Sequence, residues 1–128
     1  MKIFGIGTDI VSIDRIKKSI RNKRFLSRVY NIKEISKCKK LIKSNHCFAK
    51  RFAAKEALSK SFGTGIRDNL SFKDIEILND KMGKPFFYKS KKIDKIIKKK
   101  FKIKKYDLFL SLSDEKDHSI AFTILVKR

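Results

Sequence analysis

Apolar and polar positions along this chain follow two different periods, and the places where one gives way to the other mark its elements. Residues Ile3 to Val11 alternate, with Phe4, Ile6 and Thr8 on one side and Gly5, Gly7 and Asp9 on the other, as in a half-buried strand. The two glycines are expected to leave open space on the face that carries Asp9. Ser12 then has the place of an N-cap and predicts a helix through about Ile20, whose exposed side carries Arg15, Lys17 and Lys18. Residues 21 to 28 continue the basic theme around Phe25 and Leu26. Asn31 and Glu34 have the spacing of a capping box and predict a helix to about Lys43, after which Asn45 is expected to cap a helix from Cys47 to Phe62.

Beyond that helix the alternation returns. Leu70 to Leu78 reads as a strand, Asn79-Asp80-Lys81-Met82-Gly83 as a turn, and Pro85 to Tyr88 as the returning strand of a hairpin. Lys91 to Lys105 contains nine lysines but sets Ile93, Ile96, Ile97 and Phe101 at helical spacing, which predicts a short amphipathic helix. Leu108 to Ser113 and Ser119 to Val126 alternate again and flank the acidic tip Asp114-Glu115-Lys116-Asp117, a second hairpin. Strand, helices, then strands predict an α+β fold, helices packed on a mainly antiparallel sheet, in a single domain spanning residues 1–128.

The predicted helix ending at Phe62 holds the densest chemistry. At about 100° per residue, Glu56 and Lys60 share a sector with Ala49 and Ala53, while Phe48, Phe52, Leu58 and Phe62 form the neighbouring apolar sector. Small side chains around Glu56 leave room for a ligand. The commoner reading of the Glu56-Lys60 spacing is a surface i,i+4 pair worth about 0.2–0.5 kcal/mol. Gly63 has the place of a left-handed C-terminal cap.

Composition narrows the class. The chain has 128 residues, 41% of them hydrophobic and eleven of them Phe, which argues for a folded protein with a core rich in Phe and Ile despite 37% charged residues. A formal charge of +21 favours polyanions: nucleic acid, an anionic membrane, a phosphorylated small molecule or an acidic protein. Cys38 and Cys47 show no metal-ligand spacing and no disulfide framework, so reduced thiols are expected. His46 and His118 are isolated and read as surface residues, which leaves no catalytic triad. The apolar stretch before Asp9 is too short for a signal peptide or membrane span, and a soluble, cytoplasmic protein is expected.

Asp9, closing a glycine-containing strand, and Glu56, on an alanine-lined helix, are the best candidates for a two-carboxylate magnesium site. Mg2+ takes oxygen ligands, often one or two carboxylates completed by waters and substrate phosphate. Each acid alone also reads as an ordinary strand-end or surface residue. Arg51, Lys55 and Lys60 can reach phosphate oxygens, and Gly63-Thr64-Gly65 offers backbone access at the helix end. That turn lacks the spacing of a P-loop and follows a helix instead of opening one. Ser111 and Ser113 alternate with Leu110 and Leu112 and can face a ligand or solvent.

Together, Gly5-Ile6-Gly7-Thr8-Asp9-Ile10, Arg51-Phe52-Ala53-Ala54-Lys55-Glu56-Ala57, Lys60 and Gly63-Thr64-Gly65 resemble the holo-(acyl-carrier-protein) synthases, the short 4′-phosphopantetheinyl transferases. Asp74 to Ile77, Asn79-Asp80, Gly83-Lys84-Pro85 and the Ser111-Leu112-Ser113 strand extend the resemblance over most of the chain. It implies transfer of 4′-phosphopantetheine from coenzyme A to a serine of apo-acyl carrier protein, with release of adenosine 3′,5′-bisphosphate, in support of fatty acid biosynthesis. Magnesium is the implied cofactor, with Asp9 and Glu56 as its ligands. Arg51, Lys55, Lys60, Gly63, Thr64 and Gly65 match the coenzyme-binding region. Arg15, Arg21 and Arg24 match the basic surface that meets the acidic carrier protein. The catalytic set implied is Glu56, Asp9 and Lys60, with Glu56 as the base, acting directly or through a bound water.

The resemblance further implies a homotrimer with active sites between neighbouring subunits; the apolar faces of the last two strands suit such an interface or a monomeric core equally. One departure stands out. Many members of the family carry His after the Ser-x-Ser strand, near the nucleotide phosphates, where this chain has Asp114 and Glu115. The competing reading is a basic nucleic-acid-binding module, supported by the charge and the Phe content. No nucleic-acid motif is present, and no specific nucleic-acid partner and no membrane partner are expected.

Overall fold

Strand β1 (Lys2–Ser12) opens the chain in a computed structural model that describes residues 1–63 and 70–128. Four helices follow: α1 (Ile13–Ser19), α2 (Lys23–Val29), α3 (Ile32–Lys39) and α4 (Ser44–Ser61). A 3-10 turn (Phe72–Asp74) leads into the short strands β2 (Ile77–Asn79) and β3 (Pro85–Phe87). Helix α5 (Lys91–Phe101) and strands β4 (Tyr106–Asp114) and β5 (His118–Lys127) complete the chain. Two antiparallel sheets form, one in the order β1-β5-β4 and a smaller β2-β3 pair, an α+β arrangement.

Local rules account for most boundaries. The Ser12 hydroxyl accepts from the Arg15 amide, the Asn31–Glu34 capping box closes in both directions, and Ser90 caps α5. Gly63, at φ +80, donates its amide to the Lys60 carbonyl and ends α4 as expected. Thr64 and Gly65 lie outside the described residues.

Several boundaries differ from expectation. Helix α3 stops at Lys39, and α4 begins at Ser44 with no side-chain cap, so Asn45 sits inside its first turn. The strand expected from Leu70 begins only at Ile77, and the 3-10 turn Phe72–Asp74 stands within its expected range, capped by Asp74, which accepts from the Ser71 amide and hydroxyl. Helix α2 arises where no helix was expected, capped by Asn22, whose Oδ1 accepts from the Arg24 and Phe25 amides.

Helix α4 lies across β1 and β5 and is buried on most of its circumference, with Glu56 part-buried and Lys60 exposed near its end. The glycines of β1 explain how close it lies. A Cβ on Gly5 would collide with the Ser61 carbonyl, and one on Gly7 with the Ala57 carbonyl. The space expected beside Asp9 is therefore filled by helix backbone. Buried Thr123 fastens the seam, its hydroxyl donating to the Ala57 carbonyl at 3.1 Å.

On the far side of α4 the core is aromatic and aliphatic, as its composition suggests. Phe52 stacks on Phe72 at 5.5 Å between centroids, Tyr30 meets Phe48 edge-on at 4.9 Å, and the Tyr30 hydroxyl donates to the Phe48 carbonyl. Among the described residues, none forms a layer over the opposite face of the three-stranded sheet. Ile6, Ile10, Phe109, Ile120 and Phe122 are exposed there, beside Thr8, Ser111 and Ser113.

Candidate active site

The tight seam between β1 and α4 brings the two expected carboxylates together. Asp9 follows Gly7 by two residues and so points to the same face of β1, toward the turn of α4 that carries Glu56 and Lys60. Lys60 Nζ donates to Asp9 Oδ1 at 3.0 Å and to the Thr8 carbonyl at 3.1 Å. The i,i+4 surface pair is thus replaced by a pairing across the seam. Burial, and next the negative charge of Asp9, hold the Glu56 carboxyl above the usual carboxylate range, while Lys60 and Arg15 pull the other way.

Two carboxylates crowded in this way are a donor set that a hard divalent cation relieves. Among the described residues no cluster of three or more His, Cys, Asp or Glu forms. The pair fits a magnesium ion that keeps waters and takes substrate oxygens.

A second feature opens at the far end of α4. A cavity of about 550 Å³ is lined by Lys37, His46, Lys50, Arg51, Asn79 and Asp114, among others. Arg51 is only 5% exposed; its Nη2 donates to Asn79 Oδ1 at 3.0 Å and its Nη1 approaches Cys47 Sγ at 3.3 Å. Its Nε is buried without a partner. Lys37 Nζ donates to the same Asn79 oxygen at 2.5 Å, so two cations share one neutral acceptor. Burial pulls both below their ordinary values, and in Lys37 the nearby Arg51 adds to the effect. Lys43, Lys50 and Lys81 also line the cavity against the carboxylates of Asp80 and Asp114, so the wall is net basic and suits an anion. Asp114, at the departure from the resemblance, stands 3.8 Å from Lys50, and His46 lines the same cavity instead of standing alone on the surface.

Lys55 does not belong to either feature. Its ammonium is fully buried and donates to Glu34 Oε1 at 2.6 Å, the Val29 carbonyl at 2.7 Å and the Phe72 carbonyl at 3.0 Å. With every donor occupied inside the core, it ties α4 to three other segments and cannot reach a coenzyme. Glu34 in turn accepts from the Asn31 and Ile77 amides, so the capping residue is also a buried counter-ion.

The cysteines also depart from expectation: Cys38 and Cys47 form a disulfide. The turn between α3 and α4 folds the two helix ends together and buries both residues, a proximity that their nine-residue separation does not reveal.

Arg15, Arg21 and Arg24 are exposed on α1, the turn after it and the first turn of α2, and Arg15 is near enough to Glu56 to oppose the rise in its proton affinity. Lys37, His46, Lys50 and Asn79 are cavity residues that the site expectations did not include. They come from α3, α4 and the end of β2, and the one local signal among them is the Asn79-Asp80 pair within the resemblance.

Comparison with known proteins gives matches over nearly the whole chain. Residues 5–123 match the family model for the 4′-phosphopantetheinyl transferase superfamily. The holo-[acyl-carrier-protein] synthase of Pelagibacter ubique is 54% identical over 128 residues, which cover all of both chains. A crystal structure of the Neisseria meningitidis holo-[acyl-carrier-protein] synthase superposes with a TM-score of 0.84 at 39% identity, covering 98% of this chain and 99% of that one. The Bacillus anthracis holo-(acyl-carrier-protein) synthase, solved in complex with CoA (3′,5′-ADP), gives 0.82 at 35% identity with both chains fully covered. The Gly-seamed strand and helix, the paired acids and this full-length similarity together show that the chain belongs to the 4′-phosphopantetheinyl transferase superfamily, among the holo-(acyl-carrier-protein) synthases.

Proposed function

We propose that this protein transfers 4′-phosphopantetheine from coenzyme A to a serine of apo-acyl carrier protein, releasing adenosine 3′,5′-bisphosphate, as a cytoplasmic enzyme that supports fatty acid biosynthesis. The observation that carries this reading is the Asp9–Glu56 pair at the helix seam, with Lys60 beside it, in a chain similar end to end to holo-(acyl-carrier-protein) synthases. Asp9 and Glu56 would hold Mg2+, which when bound neutralises charge on the pyrophosphate.

The chain's own groups supply the rest. The carrier serine oxygen forms a bond to the β-phosphorus while the bond from that phosphorus to the bridging oxygen breaks, so the departing adenosine keeps both of its remaining phosphates. Glu56 accepts the serine proton, directly or through a water, a task its raised proton affinity favours. Lys60, more than half exposed at its side chain, can leave Asp9 for a phosphate oxygen. Arg51 and Lys37 form the floor for the adenosine bisphosphate end of coenzyme A, the part held in the Bacillus anthracis complex. Arg15, Arg21 and Arg24 guide the acidic carrier to the site.

In one assay, apo-carrier protein is incubated with coenzyme A and magnesium and then weighed. The expected result is a mass gain equal to one phosphopantetheine group. A carrier that stays unmodified under these conditions would refute the assignment.

The open sheet face supports a homotrimer in the same reading. Among the described residues, five exposed large apolar side chains lie together with no charged side chain between them, on a chain that is 37% charged. Light scattering on the eluting protein is expected to give three times the chain mass, and Phe122→Glu, placing a charge at the centre of the face, is expected to reduce it. A wild-type protein that elutes at the mass of one chain contradicts the trimer.

A further inference from the structure

The cavity wall holds a disulfide that no step of phosphopantetheine transfer uses. Cys47 lines the cavity, whereas Cys38 is fully buried behind it. Cys47 lies in the first turns of α4 and is contacted by the Arg51 guanidinium at 3.3 Å. Arg51 is the same residue that, with Lys37, forms the basic floor. Lys37 immediately precedes Cys38, so the link also fixes the turn of α3 that presents this lysine to Asn79.

We propose that Cys38 and Cys47 are a reversible thiol–disulfide modification site whose redox state sets the affinity of the adjoining cavity for the anionic nucleotide end of coenzyme A. The proposal rests on the reading of that cavity given above. Cys47 is only 4% exposed, but that exposure is to the cavity, and two factors there favour the thiolate: a helix N-terminus and an adjacent fixed cation. A hydroperoxide reaching Cys47 through the cavity would transfer one oxygen to its sulfur, giving a sulfenic acid and releasing water or an alcohol. Attack by the Cys38 sulfur then forms the disulfide and expels a second oxygen as water. Two electrons pass from the two thiols to the peroxide bond. A dithiol reverses the change by exchange, becoming a disulfide as the two protein thiols re-form.

The chemistry gives the direction of the effect. In the disulfide, Cys47 carries no charge and Arg51 keeps its full attraction for an anion in the cavity. When the pair is reduced, the Cys47 thiolate draws Arg51 to itself and adds a negative charge to the wall, while α3 is released at Lys37. The oxidised protein is therefore expected to bind the anion more tightly, by about five- to tenfold for one unit charge at a solvent-open site.

The test is calorimetric titration of adenosine 3′,5′-bisphosphate into wild-type protein, once after hydrogen peroxide and once after dithiothreitol, with the loss or gain of two hydrogens confirmed by mass. Turnover of the reduced protein is measured alongside. Tighter binding by the oxidised form supports the proposal, as does a Cys38→Ala protein that keeps the weaker affinity under both treatments. Equal affinity in the two wild-type forms with normal turnover overturns the redox link and leaves the transferase assignment standing. Two free thiols persisting after peroxide likewise overturn it. No bisphosphate binding in either form, with turnover absent, overturns both readings.

Discussion

A Glu56→Gln protein is expected to fold normally and to lose about 10²–10⁴-fold in turnover, the usual contribution of a positioned proton acceptor. Glutamine keeps the shape of the side chain, so the seam between β1 and α4 is undisturbed, and the Asp9–Lys60 pair at 3.0 Å has no reason to part. The amide can neither accept the serine proton nor supply a charge to magnesium. The fall is thus expected mainly in kcat, with a higher magnesium concentration needed for half-maximal rate. Stability should hold or rise slightly, because the Asp9 charge no longer opposes a second carboxylate. The wild-type pH profile is tied to the same group. Glu56 can ligate magnesium or accept a proton only when ionised, and in the metal-free site its proton affinity is raised, so magnesium binding is expected to be present above that raised value and lost as the pH falls through it. Wild-type turnover in the Gln variant would remove Glu56 from the chemistry.

Lys55→Ala is expected to act on the fold instead, costing about 3–5 kcal/mol in a denaturant titration, as when one partner of a buried ion pair is removed. Glu34 would be left in the core with its charge unanswered, and the Val29 and Phe72 carbonyls would lose their donor. Pairing Lys55→Met with Glu34→Leu removes both charges at similar volume and should recover much of the loss. Whatever fraction remains folded is expected to keep the wild-type KM for coenzyme A. A stable Lys55→Ala protein with a raised KM would return this lysine to the coenzyme site.

Lys55 also shows where reading the chain one segment at a time reaches its limit. Periodicity shows that Lys55 shares a helix with Glu56 and Arg51, but α3 and the 3-10 turn decide which of that helix's faces is open, and they enclose this one. The caps at Ser12 and Asn31, the stop at Gly63 and the closing hairpin were legible because each depends on residues within one turn of each other. So was the family, since its motifs are short and ordered. Helix α2 was not legible, because a seven-residue helix has little periodicity of its own and depends on Phe25 packing against Tyr30 and Phe52. The basic cavity draws Lys37 from α3, His46 and Arg51 from α4, Asn79 from β2 and Asp114 from β4, and no spacing rule links the four elements. The Cys38–Cys47 bond has the same origin in a turn between helices.

Asp9 and Glu56 face each other across the line where Gly5 and Gly7 let a helix backbone rest directly on a strand. That contact works as a gauge. The gap between the acids is set by how near the Ala57 carbonyl can come to β1, and a single methyl group at position 7 would wedge the two elements apart. The grip on a small cation is therefore calibrated by a residue that has no functional group at all.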